Sequence, residues 1–75
     1  MFNEFPDQTV VNRLRQIYPA GTRVVLERMD DPYTKLKPGD CGKVIHIDDG
    51  GSIHIQWDNG SCLAAIYGVD AIRKL

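Results

Sequence analysis

Cysteine is nearly absent from this 75-residue chain, which has only Cys41 and Cys62. Two are too few for the disulfide framework that holds small secreted domains together. No Cys-x-x-Cys pair occurs, which excludes a zinc ribbon. No apolar run approaches the ~20 residues needed to cross a bilayer. The N-terminus lacks the basic-then-apolar pattern of a secretory leader, so a cytoplasmic protein with no membrane partner is expected. An excess of either charge is also missing. Lys and Arg number 9 against 10 Asp and Glu, for a formal net charge of −1. A dedicated nucleic-acid binder carries a basic excess. That partner class is demoted here but stays open, because charges can segregate to opposite faces. No Ser/His/Asp, Cys/His or metal-ligand set has usable spacing. The expectation is a protein that is not an enzyme, with no catalytic residues, no metal and no cofactor.

What is present is the composition of a folded domain. Apolar residues make up 43% of the chain and charged residues 25%, which argues against disorder. A chain this short forms one domain and buries roughly 60% of its unfolded surface. It has room for one core and none for a deep catalytic pocket.

Val10, Val11, Leu14, Ile17 and Tyr18 recur at helical spacing, with Asn12, Arg13, Arg15 and Gln16 between them. Asp7 suits the N-cap, and Pro19-Ala20-Gly21 ends the segment. One amphipathic helix is therefore expected over 8–18, after a loose tail from Met1 to Pro6. Its apolar stripe packs on its own chain, or else joins two copies or docks on a partner, so a monomer or a weak homodimer through this helix is expected. Arg23 to Arg28 reads as a first strand. Met29 to Asp40 contains two prolines, paired aspartates and a Pro-Gly turn, and reads as a long ordered loop.

Cys41 to Ser61 reads as strand, turn, strand, turn. Asn59-Gly60 favours a two-residue type I′ turn. That turn pairs Trp57 with Cys62, Ile55 with Ala64 and Ile53 with Ile66, all apolar and on one face. A three-residue loop of Asp49, Gly50 and Gly51 pairs Ile47 with Ile53 and Ile45 with Ile55, with Gly51 left-handed. Val44 then falls on the wrong parity, which a β-bulge near 44–46 resolves. Gly68 to Leu75 supplies a turn and a short closing strand. The fold class expected is mostly β: a small SH3-like barrel of about five strands with one N-terminal α-helix. The tail and helix occupy 1–20 and the barrel 21–75 of a single domain.

The order of Tyr18-Pro19-Ala20-Gly21-Thr22-Arg23-Val24, Met29-Asp30-Asp31-Pro32-Tyr33, Lys37-Pro38-Gly39-Asp40, Gly42-Lys43-Val44, Trp57-Asp58-Asn59-Gly60-Ser61 and Gly68-Val69-Asp70 resembles an uncharacterised family of small bacterial and phage-borne domains. The resemblance covers most of the chain. It implies a compact β-rich domain, and because the family is of unknown function it implies no activity. Pro-Gly-Asp-x-Gly-x-Val is also similar to SH3-like barrels that bind peptides, nucleic acid or ribosomal components, an analogy of fold only. The chain departs from the family at Cys41 and Cys62, where small or polar residues are usual. Those cysteines are therefore not a shared active site.

Binding residues concentrate on loops held by rigid scaffolds. The expected function is recognition of a protein or peptide through the loop 29–40. Tyr33 would stack or hydrogen-bond, Asp30 and Asp31 would accept from basic groups, Met29 and Leu36 would be apolar anchors or loop packing, and Lys35 would join the site with Trp57 nearby. Trp57 itself reads first as the anchor of the core, and second as a groove residue exposed at the barrel rim. The alternative function is nucleic-acid binding by Arg23, Arg28, Lys35, Lys37 and Lys43. His46 and His54 fall opposite each other, with only Asp48 and Gln56 near enough to add ligands, so a solvated outer-face pair is expected. Asp48-Asp49 beside glycines reads as a turn. Cys62 is expected to face inward beside Trp57, and Cys41 to lie in a turn.

Overall fold

The computed structural model describes residues 8–29, 35–66 and 68–75. The helix α1 is Gln8–Ile17. Its period places Val11 and Leu14 in the core, where Val11 is fully covered. Val10 and Tyr18 are half-buried and pack against that core, while Ile17, the remaining stripe residue, is exposed. Arg15, on the flank, donates from Nη2 to the Ile47 carbonyl at 3.1 Å and to Asp49 Oδ1 at 2.9 Å. The helix ends where Tyr18 N–H donates to the Leu14 carbonyl and Pro19 comes next. The tail 1–6 and the Asp7 cap lie outside the described residues.

Five strands form one sheet: β1 Arg23–Arg28, β2 Cys41–Ile47, β3 Ser52–Trp57, β4 Ala65–Ile66 and β5 Ala71–Lys74. The order is β4-β3-β2-β1-β5, and every neighbouring pair is antiparallel. The protein is therefore mostly β with one N-terminal helix. Val24, Leu26, Val44, Ile47, Ile53, Ile55, Trp57 and Ala65 join Val11, Leu14 and Leu36 in one core. β4 and β5 are the two edges and share no ladder. They are linked by a turn in which the Ile66 carbonyl accepts from Val69 N–H at 3.0 Å and from Asp70 N–H at 2.9 Å. Asp70 Oδ2 accepts from Ile66 N–H in return. Among the described residues no ladder joins these edges, and a seam runs between them, floored by Ile53, Ala65 and Ile72 and flanked by Leu14 and Tyr18 of the helix side.

The β2–β3 hairpin matches the expected pattern with one refinement. Ile47 faces Ile53, the register shifts between Val44 and His46, and Gly51 has φ 82°. Because the bulge sits at Ile45, it is Val44 rather than Ile45 that pairs with Ile55. Val44 is buried and Ile45 is left exposed. The bulge turns one strand's parity and so reconciles Val44 with Ile47.

The β3–β4 hairpin departs from expectation. Asn59 does not have positive φ; only Gly60 does, at 96°, so the turn is not type I′. Gly60 N–H donates to the Trp57 carbonyl at 3.0 Å and Trp57 N–H to the Ser61 carbonyl at 2.8 Å. The loop is therefore the three residues Asp58, Asn59 and Gly60. Asp58 N–H still donates to the Cys41 carbonyl at 2.9 Å, which extends the β2–β3 pairing to Asp58 and delays the reversal by one residue. The register slips accordingly to Ile53 against Ala65 and Ser52 against Ile66. A slip of one exchanges the faces. Ala65 is buried, while Ile66 and Cys62 are exposed rather than turned inward. Cys41 opens β2 instead of lying in a turn.

Candidate functional site

The long loop leaves β1 at Met29 and re-enters at β2. Met29 packs against the core and Leu36 is buried in it. The returning arm is tied back to β1: Leu26 N–H donates to the Asp40 carbonyl, and Gly39 N–H to the Leu26 carbonyl, both at 2.8 Å. The Asp40 carboxylate accepts from Lys37 N–H at 3.0 Å, closing the Pro38-Gly39 turn. Both roots are thus anchored by apolar packing and backbone hydrogen bonds. Lys35 and Lys37 are exposed on the returning arm. Asp30, Asp31 and Tyr33 lie outside the described residues.

Trp57 is 1% exposed, and its Nε1–H donates to the Leu63 carbonyl at 2.8 Å. The indole is a core anchor with its polar atom satisfied inside the chain. This bears out the core-anchor reading of Trp57 and corrects its placement as a groove residue at an exposed rim.

Register places Arg23, Lys43 and Gln56 side by side across β1, β2 and β3. Arg23 donates to Asp58 through both terminal nitrogens, at 2.9 and 2.6 Å. This fork raises the Arg23 pKa above its ordinary value, chiefly through the hydrogen bonds to Asp58, and holds the Asp58 carboxyl below its own for the same reason. Arg28 stands at the other end of β1, donating to the Val69 carbonyl. Lys35 and Lys37 belong to the loop.

His46 and His54 are opposite in the ladder. Their rings stack, with centroids 4.3 Å apart and planes 8° from parallel. Asp48 Oδ2 lies 2.9 Å from His54 Nε2. An ionised carboxylate only accepts, so this nitrogen carries the proton. Asp48 Oδ1 accepts from Gly50 and Ser52 N–H, both at 3.0 Å. Donation by His54 first, and then by Ser52 N–H, lowers the Asp48 pKa. Asp48 is thus a turn former that also holds one histidine. Among the described residues, no group of three or more His, Cys, Asp or Glu side chains is arranged to hold a metal.

Sequence reasoning missed the Arg23–Asp58 fork, the Arg15 ties to β2 and the seam between β4 and β5. Each depends on which elements meet, and local pattern carries no signal for that. No described helix is long and apolar enough to cross a membrane.

A family described as Domain of unknown function (DUF4314) matches residues 7–75. No curated protein and no solved structure matches the chain.

Proposed function

The chain belongs to the DUF4314 family of domains of unknown function, and we propose that it is a non-catalytic interaction module that binds a protein or peptide through the loop 29–40. The observation that carries this reading is the anchoring of the loop. Leu36 is 7% exposed, and two backbone hydrogen bonds tie Gly39 and Asp40 to Leu26. Fixing the two roots of a binding segment reduces the entropy lost when it docks, which favours recognition. Met29 and Leu36 serve as the apolar roots. Asp30, Asp31, Tyr33 and Lys35 are the contact residues, with the carboxylates accepting from basic groups of the partner. Trp57 supports the scaffold from within the core.

Nucleic-acid binding is the weaker alternative. Arg23, beside Lys43, is already paired with Asp58, and Arg28 stands at the other end of β1. The test is capture of partners from the host by the immobilised full chain, with a salt series on the captured material. Asp31→Ala combined with Tyr33→Ala, in a protein shown by its NMR spectrum to be folded, is expected to abolish capture. Unchanged capture by that double variant rejects the site. Retention that collapses steeply as salt rises and is abolished by nuclease treatment supports the nucleic-acid reading instead.

A further inference from the structure

The asparagines of the chain are Asn3, Asn12 and Asn59, and only Asn59 precedes a glycine. Asn59 and Gly60 form the tip of the β3–β4 turn, and both are exposed. The backbone nitrogen after an asparagine can close on that side chain's Cγ, because the ring so formed has five members. Holding the two reacting groups in one short ring replaces a collision between molecules. Nothing lies within 4 Å of where a Cβ on Gly60 would stand, so no side chain shields the attacking nitrogen. Ser61 N–H donates to Asn59 Oδ1 at 2.9 Å. Negative charge builds on that oxygen as Cγ is attacked, and a donor already in place stabilises it. One bond opposes the reaction. Gly60 N–H donates to the Trp57 carbonyl at 3.0 Å, so the turn must open there before the nitrogen attacks. Asn12 is the contrast: it lies inside α1, before Arg13, and its Oδ1 accepts from Gln8 Nε2 at 3.0 Å.

We propose that Asn59 is a site of spontaneous deamidation and isomerisation, with water as the co-reactant. Gly60 N gives its proton to solvent and bonds to Asn59 Cγ. The Cγ–Nδ2 bond breaks and ammonia leaves with a proton from water, so a succinimide joins residues 59 and 60. Water then opens the ring at either carbonyl. Opening at Cγ gives aspartate. Opening at the main-chain carbonyl gives isoaspartate, with the chain routed through Cβ and Cγ. Both products add a negative charge next to Asp58, the carboxylate that Arg23 holds. The isoaspartyl form also inserts a methylene into the three-residue loop, which disturbs the Gly60–Trp57 and Trp57–Ser61 hydrogen bonds. The turn is separate from the loop 29–40, so this site stands or falls independently of partner binding there.

The test is ageing of the full chain, folded in buffer and unfolded in guanidinium chloride, at neutral and mildly alkaline pH. Conversion is read by peptide-resolved mass spectrometry and by isoaspartyl methyltransferase labelling. An amide-to-acid mass gain is expected in the peptide holding Asn59 and not in the one holding Asn12. Its rate is expected to rise with pH, because the attacking nitrogen must lose its proton. One exposed hydrogen bond is worth about a factor of ten at most, so the folded chain is expected to convert within about tenfold of the unfolded rate. Gly60→Ala places a methyl group beside the attacking nitrogen and is expected to slow conversion about tenfold, folded or unfolded. In the isoaspartyl product the Trp57 and Gly60 amides are expected to exchange faster, whereas Asn59→Asp, which adds the charge alone, leaves them protected. Asn59 that stays intact in the folded chain while the unfolded chain converts overturns the proposal. So does conversion that Gly60→Ala fails to slow, or conversion that maps to Asn12 instead.

Discussion

The two hairpin turns of this sheet are built alike from different-looking sequences. In one, Gly51 N–H donates to the Asp48 carbonyl at 3.0 Å and Asp48 N–H to the Ser52 carbonyl at 3.1 Å. In the other, Gly60 N–H donates to the Trp57 carbonyl and Trp57 N–H to the Ser61 carbonyl. Both loops hold three residues, and both end in a left-handed glycine. The ladders that the two turns join are unequal. The β2–β3 ladder runs from Ile47–Ile53 to Gly42–Trp57, whereas β3–β4 pairs only two residues on each side. The same turn chemistry thus supports a long ladder or a short one. The difference lies on the partner side: β2 pairs with β3 from the turn onward, while residues 61–64, where the Leu63 carbonyl takes the indole N–H, lie outside the ladder and pairing resumes only at Ala65–Ile66.

The sharpest way to break the long hairpin is at Gly42. A Cβ there would lie 2.7 Å from Ile55 Cγ2, 2.9 Å from the Gln56 carbonyl oxygen and 3.0 Å from Trp57 Cα. Two of those atoms are backbone, so β2 and β3 must separate. Gly42→Ala is expected to cost about 3 kcal/mol, at the upper end for overpacking. Urea denaturation checks it. A loss under about 1 kcal/mol would show that the two strands can separate without penalty and that the long ladder is not the rigid half of the comparison.

The equivalence of the turns is tested at the shorter one. Gly60 has open space around it, so only its φ resists a side chain. Gly60→Ala is expected to cost about 1 kcal/mol, and Gly60→Asn less, because asparagine tolerates the left-handed region. Asn59 does not need that region here. Asn59→Ala loses only the exposed bond from Ser61 N–H to its Oδ1, at 2.9 Å, for about 0.5 kcal/mol. Equal costs at 59 and 60 would restore the two-residue turn that the Asn-Gly pair suggests.

The smallest effect is electrostatic and separates how the two turns are tied down. Asp48 is held by His54 within its own hairpin, and Asp58 by Arg23 from β1. Both carboxyls are lowered from the ordinary value of 3.8. A depressed folded pKa contributes stability that is fully present above the unfolded value and lost as pH falls through the folded one. The acid-sensitive window therefore lies below pH 3.8 for both. Carboxyl NMR titrations are expected to show His54→Ala raising the Asp48 midpoint alone and Arg23→Ala raising that of Asp58 alone. A response of both to either change would mean that the turns share one charge network.

The β2–β3 hairpin was legible because its faces disagree. Only one loop length sets Ile47 against Ile53 while keeping His46 and His54 outside, and Val44 then demands a bulge. β3–β4 was illegible because both parities after Ser61 are apolar. Cys62, Ala64 and Ile66 make as good an inner face on paper as Leu63 and Ala65, so the Asn-Gly signal decided unopposed and decided wrongly. Within the proposed site, the buried root at Leu36 and the turn at Lys37 to Asp40 come from local chemistry. The burial of Trp57 does not, since an aromatic on an inner face can sit in the core or at a rim.

Sequence alone determined the elements: the helix from its 3.6-residue stripe, β1 from its apolar run, β2 and β3 from alternation, the bulge from a parity conflict, and Gly51 from the turn that needs it. These are local properties, written in spacing and in the φ that each residue tolerates. Tertiary structure decided the register of β4, the exposure of Cys62, the Arg23–Asp58 fork and the free edges at the seam. Each depends on which of two equally apolar or equally charged residues meets a distant neighbour. That choice is settled by packing and by hydrogen bonds across the sheet, such as Asp58 N–H to Cys41 and Trp57 Nε1–H to Leu63.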